Sequence, residues 1–199
     1  MVAARTVWLV APYALWMALM TALPSSAWAY AVRTAVVAAL LVVALWRLRA
    51  LEWLRNGFRR ADIAHGVAVG LAVFVVWILP EQFDWPAYRA FCIVGEGGTA
   101  AVAESDATLL ATRLVGSAFV ISVAEELFFR KWLLGFAGFW WMVALFAVEH
   151  DRWLVGAVAG AVYGLLALRR GLGSAIVAHA VTNLALGLWV LKSGQWQFW

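Results

Sequence analysis

Seven apolar runs, at about 7–23, 27–46, 61–79, 108–134, 138–150, 153–168 and 172–191, leave this 199-residue chain little polar surface with which to meet water. Hydrophobic residues make up 66% of it and charged residues only 13%, about half the charged share of an ordinary soluble domain. Lipid must therefore be the solvent for most of the surface. Lipid offers no partner to an exposed backbone N–H or C=O, so only helices or a closed barrel can cross it. The runs are continuous and lack the period-two alternation of barrel strands. The expected fold is all-α: a polytopic bundle of about seven transmembrane helices, forming one membrane domain over 1–199 without linker or internal repeat. The runs at 138–150 and 153–168 are short for a crossing, which takes about 20 residues.

The first run imitates a secretory signal, with Arg5 before it and Ala27-Trp28-Ala29 after it. It is longer than the usual 7–15 apolar residues of such a signal, and it is read as a retained helix. Arg47, Arg49, Arg55, Arg59 and Arg60 crowd the segment between runs two and three, which places that segment in the cytoplasm. The stretch 80–107 carries Glu81, Asp84, Glu96, Glu104 and Asp106 against Arg89 and belongs outside. Lys131 and Arg169-Arg170 fall on the inner side in the same scheme, giving a cytoplasmic N-terminus and an outer C-terminus. The formal charge of +4 thus reflects topology, and no nucleic-acid partner is expected. Gly95-Glu96-Gly97-Gly98 lacks the lysine of a phosphate loop and reads as a flexible turn. Gly156, Gly160 and Gly164 form a small-residue face for close helix packing. The lone Cys92 forms no internal disulfide, Ser117 and Ser122 read as packing residues, and His65 as an interfacial one.

Ionisable groups at membrane depth are costly and mark function by default. Glu125, Glu126 and Arg130 lie in the fourth run, Glu149 and His150 end the fifth, and His179 and Asn183 lie in the seventh. Glu126 and Arg130 are four apart and can pair on one helix face, which leaves Glu125, turned by about 100°, outside the pair. His179 and Asn183 share a face, as do Phe146 and His150. Counted from a turn at Gly135–Gly138, Glu125 and His150 are equally distant, roughly 19 Å at the α-helical rise, and His179 lies about 12 Å past Gly171. One carboxylate and two imidazoles are thus expected at similar levels, in a site open to the cytoplasm. Glu149 points elsewhere on its helix.

Glu-Glu-x-x-x-Arg at Glu125–Arg130, Phe-x-x-x-His at Phe146–His150 and His-x-x-x-Asn at His179–Asn183 resemble the type II CAAX protease family, which includes bacteriocin-processing intramembrane proteases. The family-like core spans about 108–191. The resemblance implies a glutamate-type intramembrane endopeptidase acting on a membrane-associated protein or peptide. Glu125, helped by His150, would activate water. His179 and Asn183 would donate to the oxyanion, while Glu126, Arg130 and Phe146 support the site. A general base works best with its pKa near ambient pH, and desolvation moves a carboxylate that way.

No cofactor is expected. A zinc ion held by Glu125, His150 and His179 is the alternative chemistry, without a His-Glu-x-x-His helix to favour it. Other classes are a transporter or proton relay using the same buried groups, and a non-catalytic membrane scaffold. The Ala-, Trp- and Arg-rich composition looks bacterial and points to the inner membrane. The chain is similar to the short CAAX-protease-related proteins that accompany bacterial protein-sorting systems.

Overall fold

A computed structural model of the chain describes residues 2–24, 26–49, 58–94 and 107–198. Each apolar run has become a helix. In chain order these are α1 (Val2–Ala22), α2 (Ala27–Arg47), α3 (Arg60–Gln82), the short α4 (Pro86–Cys92), α5 (Ala107–Ala137), α6 (Phe139–Val148), α7 (Trp153–Arg170) and α8 (Leu172–Ser193). A 3₁₀ turn, Trp196–Phe198, closes the chain. Arg55, Glu96, Glu104, Asp106 and the glycine-rich turn at 95–98 lie outside the described residues.

The all-helical membrane fold is as expected, but the number of crossings is not settled at seven. Five helices are long and apolar enough to span a bilayer: α2, α3, α5, α7 and α8. The run at 153–168 has gained enough residues to join them. α6 has only 10 residues and reaches about 15 Å, half a hydrocarbon core. Two reversals need glycine. Gly138 (φ 87°, ψ 173°) turns α5 into α6, and Gly171 (φ 95°, ψ 163°) turns α7 into α8. Both conformations are essentially closed to residues with a Cβ, so each helix starts afresh one residue after the last ended.

Close packing without a hydrophobic drive needs small residues at the seams. Gly156, Gly160 and Gly164 of α7 face α6: a Cβ on them would meet His150 Cβ at 3.2 Å, Phe146 Cδ1 at 3.0 Å and Met142 Cε at 2.6 Å. A second seam, not expected from the sequence, joins α3 to α8. There a Cβ on Gly66 would stand 2.8 Å from the carbonyl of Ser174, and one on Gly70 would run into that of Ala178.

Ion pairs define the two ends of the bundle. At one end Arg170 pairs with Asp62 at 3.6 Å, with His65 exposed beside it. At the other, Arg152 forms a buried two-point bridge to Glu81, with its guanidinium 4.8 Å from the Phe198 ring. The segment after α6 is stitched there too, by Val94 N–H to the Asp151 carbonyl (2.8 Å) and by Trp153 Nε1 to the Phe91 carbonyl (2.8 Å). Asp151 and Arg152, which look too deep if α6 crosses midway, therefore stand at the Glu81 rim.

Candidate functional site

The polar centre forms where α5 crosses α8 and α7. α5 is not a regular helix at this point. Gly116–Ile121 and Leu127–Leu133 are wound as π-helix, and the α-helical segment between them, Ser122–Glu126, carries both glutamates. A widened turn re-aims the side chains after it, and π-turns recur at functional sites. Nothing in the residue spacing announces these turns.

Glu126 is the hub. Its fully buried carboxylate pairs with Arg130 Nη1 at 3.0 Å, on the expected i,i+4 face. It also accepts a hydrogen bond from His179 Nδ1 at 2.9 Å, across to α8. This second bond makes Glu126 more than a partner for arginine. It fixes the imidazole tautomer and turns Nε2 toward Glu125, whose Oε2 stands 3.6 Å away with no hydrogen-bond partner of its own. Glu125 is thus the acid left outside the pair, as its position on the helix implied.

Aromatic rings set the remaining angles. Tyr163 of α7 stacks on the His179 ring (5.0 Å between centroids, 21°) and donates its hydroxyl proton to Thr182 Oγ1 at 2.6 Å. Thr182 in turn contacts the Gly70 carbonyl at 2.8 Å, tying α7, α8 and α3 together. Arg130 lies over the Phe146 ring at 4.2 Å and donates to the Gly160 carbonyl at 3.3 Å. Tyr163 and Thr182 are residues the sequence reading passed over.

His150 and His179 are carried by different elements. His150 follows the end of α6, donates from Nδ1 to the Phe146 carbonyl at 2.8 Å, and packs on Trp77 of α3 at 5.3 Å. His179 lies on α8, whose backbone at Ala178 abuts Gly70 of α3, whereas His150 meets α3 at Trp77. The Phe146 ring contacts both imidazoles, 4.7 Å from His150 and 5.9 Å from His179.

Asn183 is on the expected face but is engaged. Its amide donates to the Ser117 carbonyl at 3.0 Å and to Ser122 Oγ at 3.1 Å, clamping α8 to the first π-segment. Glu149 is closer to the centre than its helix position implied: its carboxyl lies beside the hydroxyl of Tyr13 from α1 and near enough to Glu125 to act on it electrostatically. Among the described residues no group of three His, Cys, Asp or Glu side chains is arranged to hold a metal ion, Glu125, His150 and His179 included.

The arrangement is a desolvated carboxylate facing an oriented imidazole, inside a bundle whose rims are closed by ion pairs. Residues 107–185, from the start of α5 through most of α8, match the family model described as type II CAAX prenyl endopeptidase, Rce1-like. No curated protein and no solved structure matches the chain.

Proposed function

From the type II CAAX prenyl endopeptidase character of residues 107–185, we propose that the chain is a glutamate-dependent intramembrane endopeptidase that hydrolyses a peptide bond of a membrane-associated peptide or protein. The observation that supports this best is the Glu126–His179–Glu125 line: a structural carboxylate orients an imidazole toward a second carboxylate whose Oε2 has no hydrogen-bond partner among the described residues.

Glu125 takes a proton from water as the oxygen attacks the carbonyl carbon. The free Nε2 of His150, whose Nδ1 is committed to Phe146, is the second acceptor that orients that water. His179, oriented by Glu126, stands beside the developing oxyanion and stabilises it through Nε2, and one such donor contributes about 3–4 kcal/mol. Asn183 joins it by releasing an amide proton from Ser117 or Ser122. Collapse of the tetrahedral species breaks the C–N bond, and the proton held by Glu125 passes to the leaving amine. No metal takes part in this scheme; activity that survives exhaustive chelation supports it, and activity restored only by added zinc overturns it. The membrane is the bacterial inner membrane, with the N-terminus in the cytoplasm.

The test is cleavage of membrane-inserted peptides by purified protein in lipid. Glu125→Gln and His179→Ala should lose about 10²–10⁴ in rate, and His150→Ala less, because it orients the water without taking its proton. Equal cleavage by wild type, Glu125→Gln and His179→Ala ends the protease reading.

A further inference from the structure

The hydrolytic scheme leaves one buried ionisable group of the centre unused. Glu149 follows the last residue of α6, and its Oε2 is buried with no hydrogen-bond partner among the described residues. Leaving a carboxyl oxygen buried and unpaired is costly, so its position there needs another reason. The carboxyl lies beside the Tyr13 hydroxyl, on the first helix of the chain, and near enough to Glu125 to act on it electrostatically. Tyr13 is 9% exposed, and its ring stands on α5, 4.5 Å from Phe128 and 5.4 Å from Phe129. Those residues follow Glu125 by three and four, the spacing that shares a helix face. α1 and α6 therefore bring a hydroxyl and a carboxyl together on the Glu125 side of α5. The polar groups around them are committed: Arg130 to Glu126, Tyr163 to Thr182, and Asn183 to Ser117 and Ser122. Tyr13 lies outside residues 107–185, and Glu149 fills an unspecified position of Phe-x-x-x-His.

We infer that Glu149 is a second catalytic carboxyl, which delivers to the leaving amine the proton that Glu125 takes from water, and that Tyr13 is its positioning residue; this rests on the proposed function. A single proton is passed along. It leaves water for Glu125 as the C–O bond forms, moves from Glu125 to Glu149, and reaches the amine nitrogen as the C–N bond breaks, so both carboxyls end the turnover as they began. The base must face the attacking water and the donor must face the nitrogen, on different sides of the reacting carbon. Two carboxyls carried by different helices meet that need without one group swinging across the scissile bond. The Tyr13 hydroxyl, beside the Glu149 carboxyl, fixes which way that carboxyl turns.

The test uses full-length protein and dansylated leucine–alanine peptides of about 20 residues in phosphatidylglycerol–phosphatidylcholine vesicles, each made also with sulfur in place of the nitrogen at the bond the wild type cuts. A thiolate departs without a proton, whereas an amine needs one. Glu149→Gln should therefore lower the ratio of amide to thioester cleavage about 100-fold. Tyr13→Phe, which keeps the ring against Phe128 and Phe129, should lower it about tenfold. Glu125→Gln should lose both substrates together. A merely structural role for Glu149 or Tyr13 moves both rates alike and leaves the ratio where it was. An unchanged ratio in Glu149→Gln overturns the inference and leaves the proposed function standing, and an unchanged ratio in Tyr13→Phe alone strikes Tyr13 from it. Should Glu149→Gln lose its thermal transition, Tyr13→Phe decides. Wild type that cuts no amide peptide ends the proposed function and this inference with it.

Discussion

Glu125 and Glu126 are neighbours in sequence with opposite situations. Glu126 holds Arg130 and His179 at once; removing its charge strands two buried groups, and breaking a buried pair costs about 3–5 kcal/mol. Glu125 makes no hydrogen bond through its Oε2, so its charge contributes little to the fold. Glu126→Gln should therefore lower thermal stability in micelles by several kcal/mol, whereas Glu125→Gln should stay within about 1 kcal/mol of wild type while activity is lost. Equal destabilisation by both would mean that Glu125 is also structural. The i,i+4 pairs at this centre were legible because helical periodicity dictates them. The His179–Glu126 bond was not, since it depends on how α8 is rotated against α5, and that rotation is set by Gly66, Gly70 and Asn183 together.

At the scale of elements, the centre depends on helices that approach more closely than ordinary side chains permit. Gly160 gives its carbonyl to Arg130 and leaves room for the Phe146 ring at 3.0 Å from its would-be Cβ. Gly160→Leu should drive α7 from α6, lower stability by about 1–3 kcal/mol and reduce activity more than stability predicts, since Arg130 and Phe146 are displaced together. A paired measurement of melting temperature and cleavage rate checks this; unchanged cleavage would show that the α6–α7 seam does not position the site. The glycine spacing on α7 was visible in the sequence, and so was its role as a packing face. The π-turns of α5 were not, because a widened turn is a property of what the helix packs against. Ser122 bonding back to the Ser117 carbonyl, five residues earlier, is visible only once Asn183 is in place beside it.

For the molecule as a whole, apolar patterning made the helical membrane fold legible, and five of the helices are long and apolar enough to span. α6 is apolar throughout but ends at Val148, and the chain beyond it is held at the rim by Glu81, Phe91 and Val94. The arginine distribution predicts that the Asp62 end faces the cytoplasm. In a Cys92→Ala background, Ser193→Cys should react with a membrane-impermeant maleimide on intact cells, and Ala61→Cys only after permeabilisation. The opposite pattern would invert the orientation.

The hanging of the two imidazoles from different parts of the molecule has a consequence for how this bundle is built. Glu125 and His179 hang from crossing helices in the interior, whereas His150 is suspended from the Arg152–Glu81 clasp at the rim. The stretch of α3 between Gly70 and Glu81 is then the ruler that spaces one proton acceptor from the other. One residue added to or removed from that stretch would shift Glu81 by about 1.5 Å and turn it by about 100°, which undoes the clasp that holds His150 and leaves the acid where it is.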